Sequence, residues 1–390
     1  MQDTGPRVPC PMSNRWGKHQ RIVSRRHVME RAKSFADLIS EVQIKGLCHK
    51  CGGCVTFCSA INYEALELRT DNRPQYKDPE KCIECGICYL ICPEVTEMEA
   101  ETREFMNWEE PMGPMLKTLS ARCANQEIRD RATDGGVVTG LLLHLFDKGR
   151  IDGAIVSRRT GPLSRKPWLA TTREEIVQAA GSHYDDSQGL PTLGEEYRTS
   201  FSSSIQELRS LRQKHLASVA VVGTPCQIHT LRRMEVLKII PADVIKYKLG
   251  LFCTKNFVFN QQMISQLEAM GGFKYEDVEK INIKQNFLLS LRSGKQVELP
   301  LDQLDFMERP ACRFCSDYSA EYADISFGGI ASLDGWTTVI LRTSLGRATF
   351  LDAVGSSIEQ SPRIVDIEEI HQASRRKKAA AAMFRSTLKG

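Results

Sequence analysis

Cys48-His49-Lys50-Cys51-Gly52-Gly53-Cys54-Val55-Thr56-Phe57-Cys58 is echoed further on by Cys82-Ile83-Glu84-Cys85-Gly86-Ile87-Cys88-Tyr89-Leu90-Ile91-Cys92-Pro93. In both stretches three cysteines stand three apart and a fourth follows four later. An iron–sulfur cubane needs four thiolates at tetrahedral corners. A tight loop with a cysteine at every third residue wraps three corners, and the fourth ligand comes from the helix that follows the other loop. The spacing therefore assigns Cys48, Cys51, Cys54 and Cys92 to one [4Fe–4S] cluster, and Cys82, Cys85, Cys88 and Cys58 to a second. Gly52, Gly53 and Gly86 let backbone pass close to inorganic sulfide, where amide N–H groups bond the cluster. Zinc typically uses two separated C-x2-C pairs, and a doubled four-cysteine run is not that pattern. Ser59, not proline, follows Cys58, a small departure in geometry.

With its trailing proline, this run is that of bacterial ferredoxins, so residues 36–105 are expected to form an α+β ferredoxin-like 2[4Fe–4S] domain. Residues 1–35 are basic and lack apolar periodicity, the composition of a solvated or partner-draping extension. Residues 106–120, rich in Glu and Met with two prolines, read as a linker. From 121 to 362 the pattern changes to strands alternating with helices. Residues 363–390 end the chain in a polar helix and tail, with the basic residues Arg375–Lys378 expected on a solvated face.

The whole chain has 390 residues, a net charge of +4, 42% hydrophobic and 26% charged residues, ordinary values for globular domains with a sizeable core. So small a net charge points to no nucleic-acid partner. No window approaches 18 uninterrupted apolar residues, which excludes a transmembrane helix, and the N-terminus lacks the apolar core of a signal peptide. The expected location is cytoplasmic, with a peripheral place on a membrane complex left open. Fourteen cysteines in such a compartment are metal ligands before they are disulfides. Only Cys10 and Cys123 stand outside patterned groups.

In the second half, Asp130–Gly136 is a turn opening a helix over Val137–Lys148. A strand is expected at Gly153–Ser157 and helices at 173–180 and 203–213. The apolar strand Ser218–Val222 ends in Gly223-Thr224-Pro225-Cys226-Gln227. Helix 227–237, strand 246–252 and helix 258–270 follow. A hairpin is expected at 281–300 and two strands within 323–342. This alternation predicts an α/β domain with a largely parallel sheet. Cys226 and Cys253 each follow the carboxyl end of a strand, where ligand sites of open α/β sheets gather. Cys312 and Cys315 form a C-x2-C after Pro310. Spacing alone leaves three readings of these four open: a third cluster, a zinc site, or two buried structural cysteines beside an unrelated C-x2-C.

Several segments of this domain together are similar to one family. They are Asp134-Gly135-Gly136-Val137-Val138-Thr139, Asp147-Lys148-Gly149-Arg150-Ile151-Asp152-Gly153-Ala154-Ile155-Val156, Gly223-Thr224-Pro225-Cys226-Gln227, Cys312-Arg313-Phe314-Cys315-Ser316-Asp317-Tyr318, Ala323-Asp324-Ile325-Ser326-Phe327-Gly328-Gly329 and Gly335-Trp336. Over roughly residues 121–345, in this order, they resemble the beta-subunit family of coenzyme F420-reducing hydrogenase and F420H2 dehydrogenase. A ferredoxin-like segment placed ahead of this domain is most similar to the electron-input subunit of F420H2 dehydrogenase and to part of F420-dependent sulfite reductases.

The resemblance implies an α/β domain that binds flavin and a cluster: FAD exchanging a hydride with F420, and a third [4Fe–4S] cluster on Cys226, Cys253, Cys312 and Cys315. It implies FAD contacts at Asp134, Gly135, Gly136, Val137 and Thr139, at Ser182, His183 and Tyr184, and at Gly223, Thr224, Pro225 and Asn256. A glycine turn at a helix start suits a pyrophosphate, because free N–H groups and the helix dipole converge there. Gly181-Ser182-His183-Tyr184 aligns with a family segment Gly-Ser-Lys-Tyr, and histidine supplies the lysine's charge only when protonated. The implied partners are redox subunits of a membrane dehydrogenase complex, a heterodisulfide reductase module or a sulfite reductase. Two other readings remain: a flavin reductase of this family that uses ferredoxin in place of F420, and a flavin-free electron relay.

Overall fold

The computed structural model describes residues 32–60, 63–69, 71–159, 164–181, 184–185, 198–199, 204–208, 211, 215–239, 242–284 and 286–388. The N-terminal extension up to residue 31, with Cys10, and Ser182 and His183 lie outside the described residues.

The first domain opens with a short helix, Phe35–Leu38, that runs on into a π-turn at Ile39–Gln43. A helix follows each cysteine loop, Gly53–Ala60 after the first and Ile87–Leu90 after the second. The small hairpin of β1 (Leu66–Leu68) and β2 (Pro74–Tyr76) lies between them. The repeat in the sequence is also a repeat in the backbone. Lys50 and Glu84, at the same position of the two loops, both take positive φ (53° and 50°), and Gly52 and Gly86 do so two residues later (81° and 74°). A side chain at Gly86 would also press on the Lys33 carbonyl at 3.0 Å.

Among the described residues, the second domain is built on a sheet of eleven strands. In chain order they are β3 (Lys117–Cys123), β4 (Gly153–Arg159), β5 (Ser164–Ala170), β6 (Tyr184–Asp185), β7 (Arg198–Thr199), β8 (Val219–Gly223), β9 (Ile245–Leu251), β10 (Val258–Phe259), β14 (Ile325–Gly328), β15 (Thr337–Leu341) and β16 (Ile358–Gln360), with a separate meander of β11 (Val278–Ile283), β12 (Asn286–Leu291) and β13 (Gln296–Pro300) inserted before β14. The large sheet runs β10-β7-β6-β5-β4-β8-β9-β14-β15-β3-β16. Its centre, β4-β8-β9-β14, is parallel. The expectation of a largely parallel sheet is corrected at both sides: β5 pairs antiparallel with β4, and β15, β3 and β16 continue antiparallel from β14. A parallel pair needs a crossover of about a dozen residues or more. The short connections from β4 to β5 and from β14 to β15 permit only antiparallel return.

Three helices sit where the sequence pattern places them, shifted by a residue or two at the ends: Val137–Asp147 before β4, Arg173–Gln178, and Pro225–Val236 between β8 and β9. The helix expected at 258–270 is corrected to Gln261–Gly271, because Val258–Phe259 is strand β10 and Asn260 caps the helix. Alternate strand residues feed the two faces of the sheet, as a period of two requires. Ala154 and Val156 enter one core, with Leu141, Leu145, Phe327 and Phe350. Ile155, Val219 and Val221 enter the other, with Ile228, Leu231 and Met234 of helix Pro225–Val236. That second core also takes in Phe57, Ile91 and Met106 from the cysteine-rich domain. The two domains therefore share a hydrophobic core.

The stretch read as a linker is correspondingly structured. Helix Glu99–Met106 precedes it and β3 begins at Lys117. Between them Met112 is buried, and the fully buried Arg342 donates to the carbonyls of Met112 (2.7 Å) and Pro114 (3.0 Å). Cys123 is a core residue of β3: a Cβ built on Gly140 would stand 2.8 Å from its sulfur. Replacing Cys123 by Ala is expected to cost about 1 kcal/mol, the scale of trimming one buried heavy atom, and to leave the iron content unchanged. Urea denaturation and an iron assay check the two halves.

Candidate functional site

The structure gathers the eight cysteines of the two loops around two adjacent cavities. Cys48, Cys51, Cys54 and Cys92 line one, with Cys88 at its edge. Cys58, Cys82, Cys85 and Cys88 line the other. Among the described residues no three His, Cys, Asp or Glu side chains converge on a point as a mononuclear metal site requires. The thiols line the walls of the two spaces. Burial pushes the Cys48 thiol up to about 11 and the Cys88 thiol up to about 12, and raises Cys54 and Cys92 well above the ordinary range. Such thiols stay protonated without metal, so loading iron must release their protons.

A third set forms at the carboxyl edge of the parallel strands. Cys226 follows β8 at the second position of helix Pro225–Val236, whose first turn is closed by a Thr224–Gln227 capping box. Cys253 follows β9, and Cys312 and Cys315 come from the turn Pro310–Phe314 and its end. All four thiols are buried or half-buried. Asn256 donates to two of them, through its side-chain nitrogen to Cys253 Sγ (3.2 Å) and its backbone N–H to Cys312 Sγ (3.4 Å). The Thr224 hydroxyl is 3.4 Å from Cys226 Sγ. Burial raises the Cys253 thiol to about 12 and holds Cys226 well above the usual range, and mutual proximity of the thiols adds to it. Asn256, implied as a flavin contact, thus faces the thiols and also the cavity described next.

Helix Pro225–Val236 joins this set to the first. Thr230, one turn after Cys226 on the same face, has its hydroxyl 3.7 Å from Cys51 Sγ. Gly53 leaves room for it, since a Cβ there would stand 2.5 Å from the Thr230 methyl. Buried Arg309 donates to the His49 carbonyl in the first cysteine loop.

Beyond the same strand ends lies a cavity of about 310 Å³, within the range of roughly 300–1,000 Å³ typical of small-molecule and cofactor sites. Asp134, Gly136, Val137, Thr139, Gly223, Thr224 and Asn256 line it, as do Gly181 and Cys253. Gly136, in the left-handed region, caps the eleven-residue helix Val137–Asp147, whose N-terminus faces the cavity. Two of the residues named from the sequence do not reach it. Gly135 packs against β3, where a Cβ would stand 2.8 Å from the Ala121 carbonyl, and its N–H donates to Thr337 Oγ1 (3.0 Å). Pro225 is buried as the first residue of its helix. Tyr184 begins β6, next to Ser164 of β5.

The β11 strand of the meander supplies a wall that the sequence did not predict. Ile281, Asn282 and Ile283 line the cavity. Asn282 Nδ2 donates to Asp134 Oδ1 (3.3 Å), and Lys284 Nζ lies 3.5 Å from the same oxygen. Lys280 donates to the carbonyls of Ala132 (2.9 Å) and Thr133 (3.2 Å). Burial pushes the Lys280 ammonium down. Burial also opposes the charge on Lys284, but Asp334 and Asp134 outweigh it and hold that ammonium up. Lys280 and Lys284 thus flank the glycine turn just outside the cavity wall, Lys284 paired with Asp134 and Asp334.

Three segments of the chain match known family profiles: residues 118–193 the N-terminal part, and residues 216–363 the C-terminal part, of the coenzyme F420 hydrogenase/dehydrogenase beta subunit, and residues 40–93 a 4Fe-4S dicluster domain. The coenzyme F420 hydrogenase subunit beta of Methanosarcina barkeri is 33% identical over 266 residues, which is 67% of this chain and 86% of that protein. The chain belongs to the coenzyme F420 hydrogenase/dehydrogenase beta-subunit family. Within that family, the coenzyme F420-dependent sulfite reductase of Methanocaldococcus jannaschii is 29% identical over 353 residues, covering 86% of this chain and 50% of that protein. A chain of the F420-reducing [NiFe] hydrogenase complex from Methanosarcina barkeri superposes with a TM-score of 0.62 at 28% identity, over 72% of this chain and 94% of that one. The family's members are oxidoreductase subunits, and this chain joins their beta-subunit domain to a dicluster domain. No helix among the described residues is long and apolar enough to cross a membrane.

Proposed function

We propose that this chain is the electron-input subunit of an F420H2-oxidising or F420-reducing complex, with FAD in the 310 Å³ cavity and three [4Fe–4S] clusters on the three thiol sets. One observation carries the reading: Cys253 belongs at once to the wall of that cavity and to the third thiol set. A flavin beside a cluster converts between paired electrons moved as hydride and electrons moved singly.

The chain's own residues divide the remaining work. The helix start at Gly136 receives the pyrophosphate, and Lys280 and Lys284 hold the glycine turn behind it through Ala132, Thr133 and Asp134. Phe252 and Tyr318, with ring centroids 5.5 Å apart, line the cavity beside Cys253 and present apolar surface there. Asn256 and Thr224 donate hydrogen bonds to the thiolates of the third cluster, which favours its reduced form. Helix Pro225–Val236 spans from that cluster to the one on Cys48, Cys51, Cys54 and Cys92. The remaining cluster is the one whose ligand Cys85 and neighbour Ile83 are exposed, so the partner redox subunit docks there. That partner belongs to a membrane dehydrogenase complex, a heterodisulfide reductase module or a sulfite reductase.

Anaerobically purified protein is expected to hold about twelve irons from three cubanes and to release one FAD on denaturation. Anaerobic titration with F420H2 is expected to bleach the flavin and then the iron–sulfur absorbance. A protein that releases no FAD is a relay subunit. One that responds only to reduced ferredoxin belongs to the ferredoxin-using branch. Either result overturns the proposal.

A further inference from the structure

The C-terminal helix, Ile367–Thr387, lies beyond the residues 216–363 that match the beta-subunit family. Its basic run Arg375-Arg376-Lys377-Lys378 reads in sequence as a solvated face; Arg375 and Arg376 are exposed, and the structure corrects the reading at Lys377 and Lys378, which are half-buried. Lys377 points inward: Nζ donates to the carbonyls of Cys253 (2.5 Å) and Asp317 (2.8 Å). The Asp317 carbonyl is also the group that faces the Cys315 thiol at 3.7 Å. The ammonium thus sits against the segments that carry Cys253 and Cys315, within electrostatic reach of Cys312 as well.

Neighbouring contacts keep it there. Lys378 pairs with buried Glu321 at 2.9 Å. Arg385, two turns on, donates to the Phe314 carbonyl (3.0 Å), between the two cysteines of the C-x2-C, and to Glu94 (2.6 Å) in the cysteine-rich domain. Glu94 in turn meets His49 of the first cysteine loop at 2.6 Å. The helix is therefore held against both cysteine-bearing regions, with Lys377 next to the Lys378 anchor.

We infer that Lys377 is a positioning charge for the third cluster, a fixed cation delivered by the C-terminal helix that raises that cluster's reduction potential. The inference rests on the third cluster being present. A cubane with four thiolates carries two negative charges when oxidised and three when reduced. One buried positive charge therefore stabilises the reduced form more, and it does so strongly where water is excluded. The electron involved is the single one delivered from reduced flavin. The cation's effect adds to that of the neutral donors Asn256 and Thr224, which reach the sulfurs directly.

The test is an anaerobic redox titration of the full chain followed by electron paramagnetic resonance, comparing wild type, Lys377→Gln and Lys377→Arg. Lys377→Gln is expected to keep about twelve irons while the reduced-to-oxidised ratio of one cluster, at a fixed potential, falls about tenfold, or ~59 mV for a one-electron couple. The other two clusters stay where they are, and Lys377→Arg restores most of the shift. An unshifted Lys377→Gln with all its iron overturns the inference. So does a Lys377→Gln protein reduced to about eight irons, because the lysine would then serve assembly and not potential. A wild type that holds only about eight irons removes the third cluster itself, a failure visible before any variant is made.

Discussion

Replacing Cys226 by Ala is expected to leave F420H2-dependent flavin reduction intact and to stop electrons from reaching the ferredoxin-like clusters. The flavin cavity keeps its walls in this variant, because Cys226 does not line it. The third thiol set loses the corner that helix Pro225–Val236 provides. Three thiols remain, which hold at most three corners of a cubane. Iron is expected to fall below twelve, to about eight when the cluster is lost outright. Changes behind a metal ligand already cost roughly 10–100-fold, so loss of a ligand on the only proposed route should slow transfer at least about 100-fold. Stopped-flow absorbance separates the two events, flavin bleaching at an unchanged rate and iron–sulfur bleaching at a much reduced one. Undiminished iron–sulfur bleaching would mean that electrons bypass Cys226, and the proposed path would be wrong.

The cysteine loops were legible in the sequence because their geometry is local. Three-residue spacing, glycine at the same position of each loop and a short following helix fix one backbone, and the paired positive φ values at Lys50/Glu84 and Gly52/Gly86 express that repetition. Helix Val137–Asp147 and the β8–helix–β9 unit were legible for a similar reason, since an apolar strand running into a capped helix is a short-range signal. Strand β5 was not. Its sequence Ser-Arg-Lys-Pro-Trp-Leu-Ala is basic and contains proline, which a central strand excludes. Pro167 nevertheless sits in the ladder, opposite Ser157 of β4. Strands β3 and β16 escaped notice because they gain their place from distant partners, Ala121 opposite Thr337 and Cys123 opposite Ile358.

In the candidate site, the residues missed are those whose role depends on contacts far apart in the chain. Lys280, Asn282 and Lys284 stand in an unremarkable alternating stretch, and only the fold brings them to the turn at Asp134. Lys377 was assigned to water because lysine in a basic run is usually solvated. A cluster of thiolates is one of the few surroundings that stabilises its charge in the interior, and sequence carries no sign of which helix will face it.

Arg233→Met is expected to be the most destabilising substitution at the junction of the two domains. Arg233 lies in helix Pro225–Val236 and is fully buried. Its guanidinium donates to the carbonyls of Leu90 (3.3 Å), Cys92 and Val95 (2.9 Å), to Glu99 Oε2 (3.0 Å) and, through Nε, to His229 Nε2 (3.2 Å). It therefore holds the backbone at Cys92, the proposed fourth ligand of the first cluster, against the helix that carries Cys226 in its first turn. Methionine fills the volume but leaves three buried carbonyls and a carboxylate to be satisfied otherwise. Removing one member of a buried ion pair costs about 3–5 kcal/mol, and each orphaned carbonyl adds a further penalty of about 1–3 kcal/mol wherever water cannot reach it. Anaerobic urea denaturation is expected to show a loss of at least about 3 kcal/mol. Transfer from the flavin to the first cluster should slow in the same protein, because the contact of Thr230 with Cys51 depends on the same docking. A loss below about 1 kcal/mol, the scale of an exposed pair, with transfer unchanged, would mean that the shared apolar core alone fixes the distance between the two clusters.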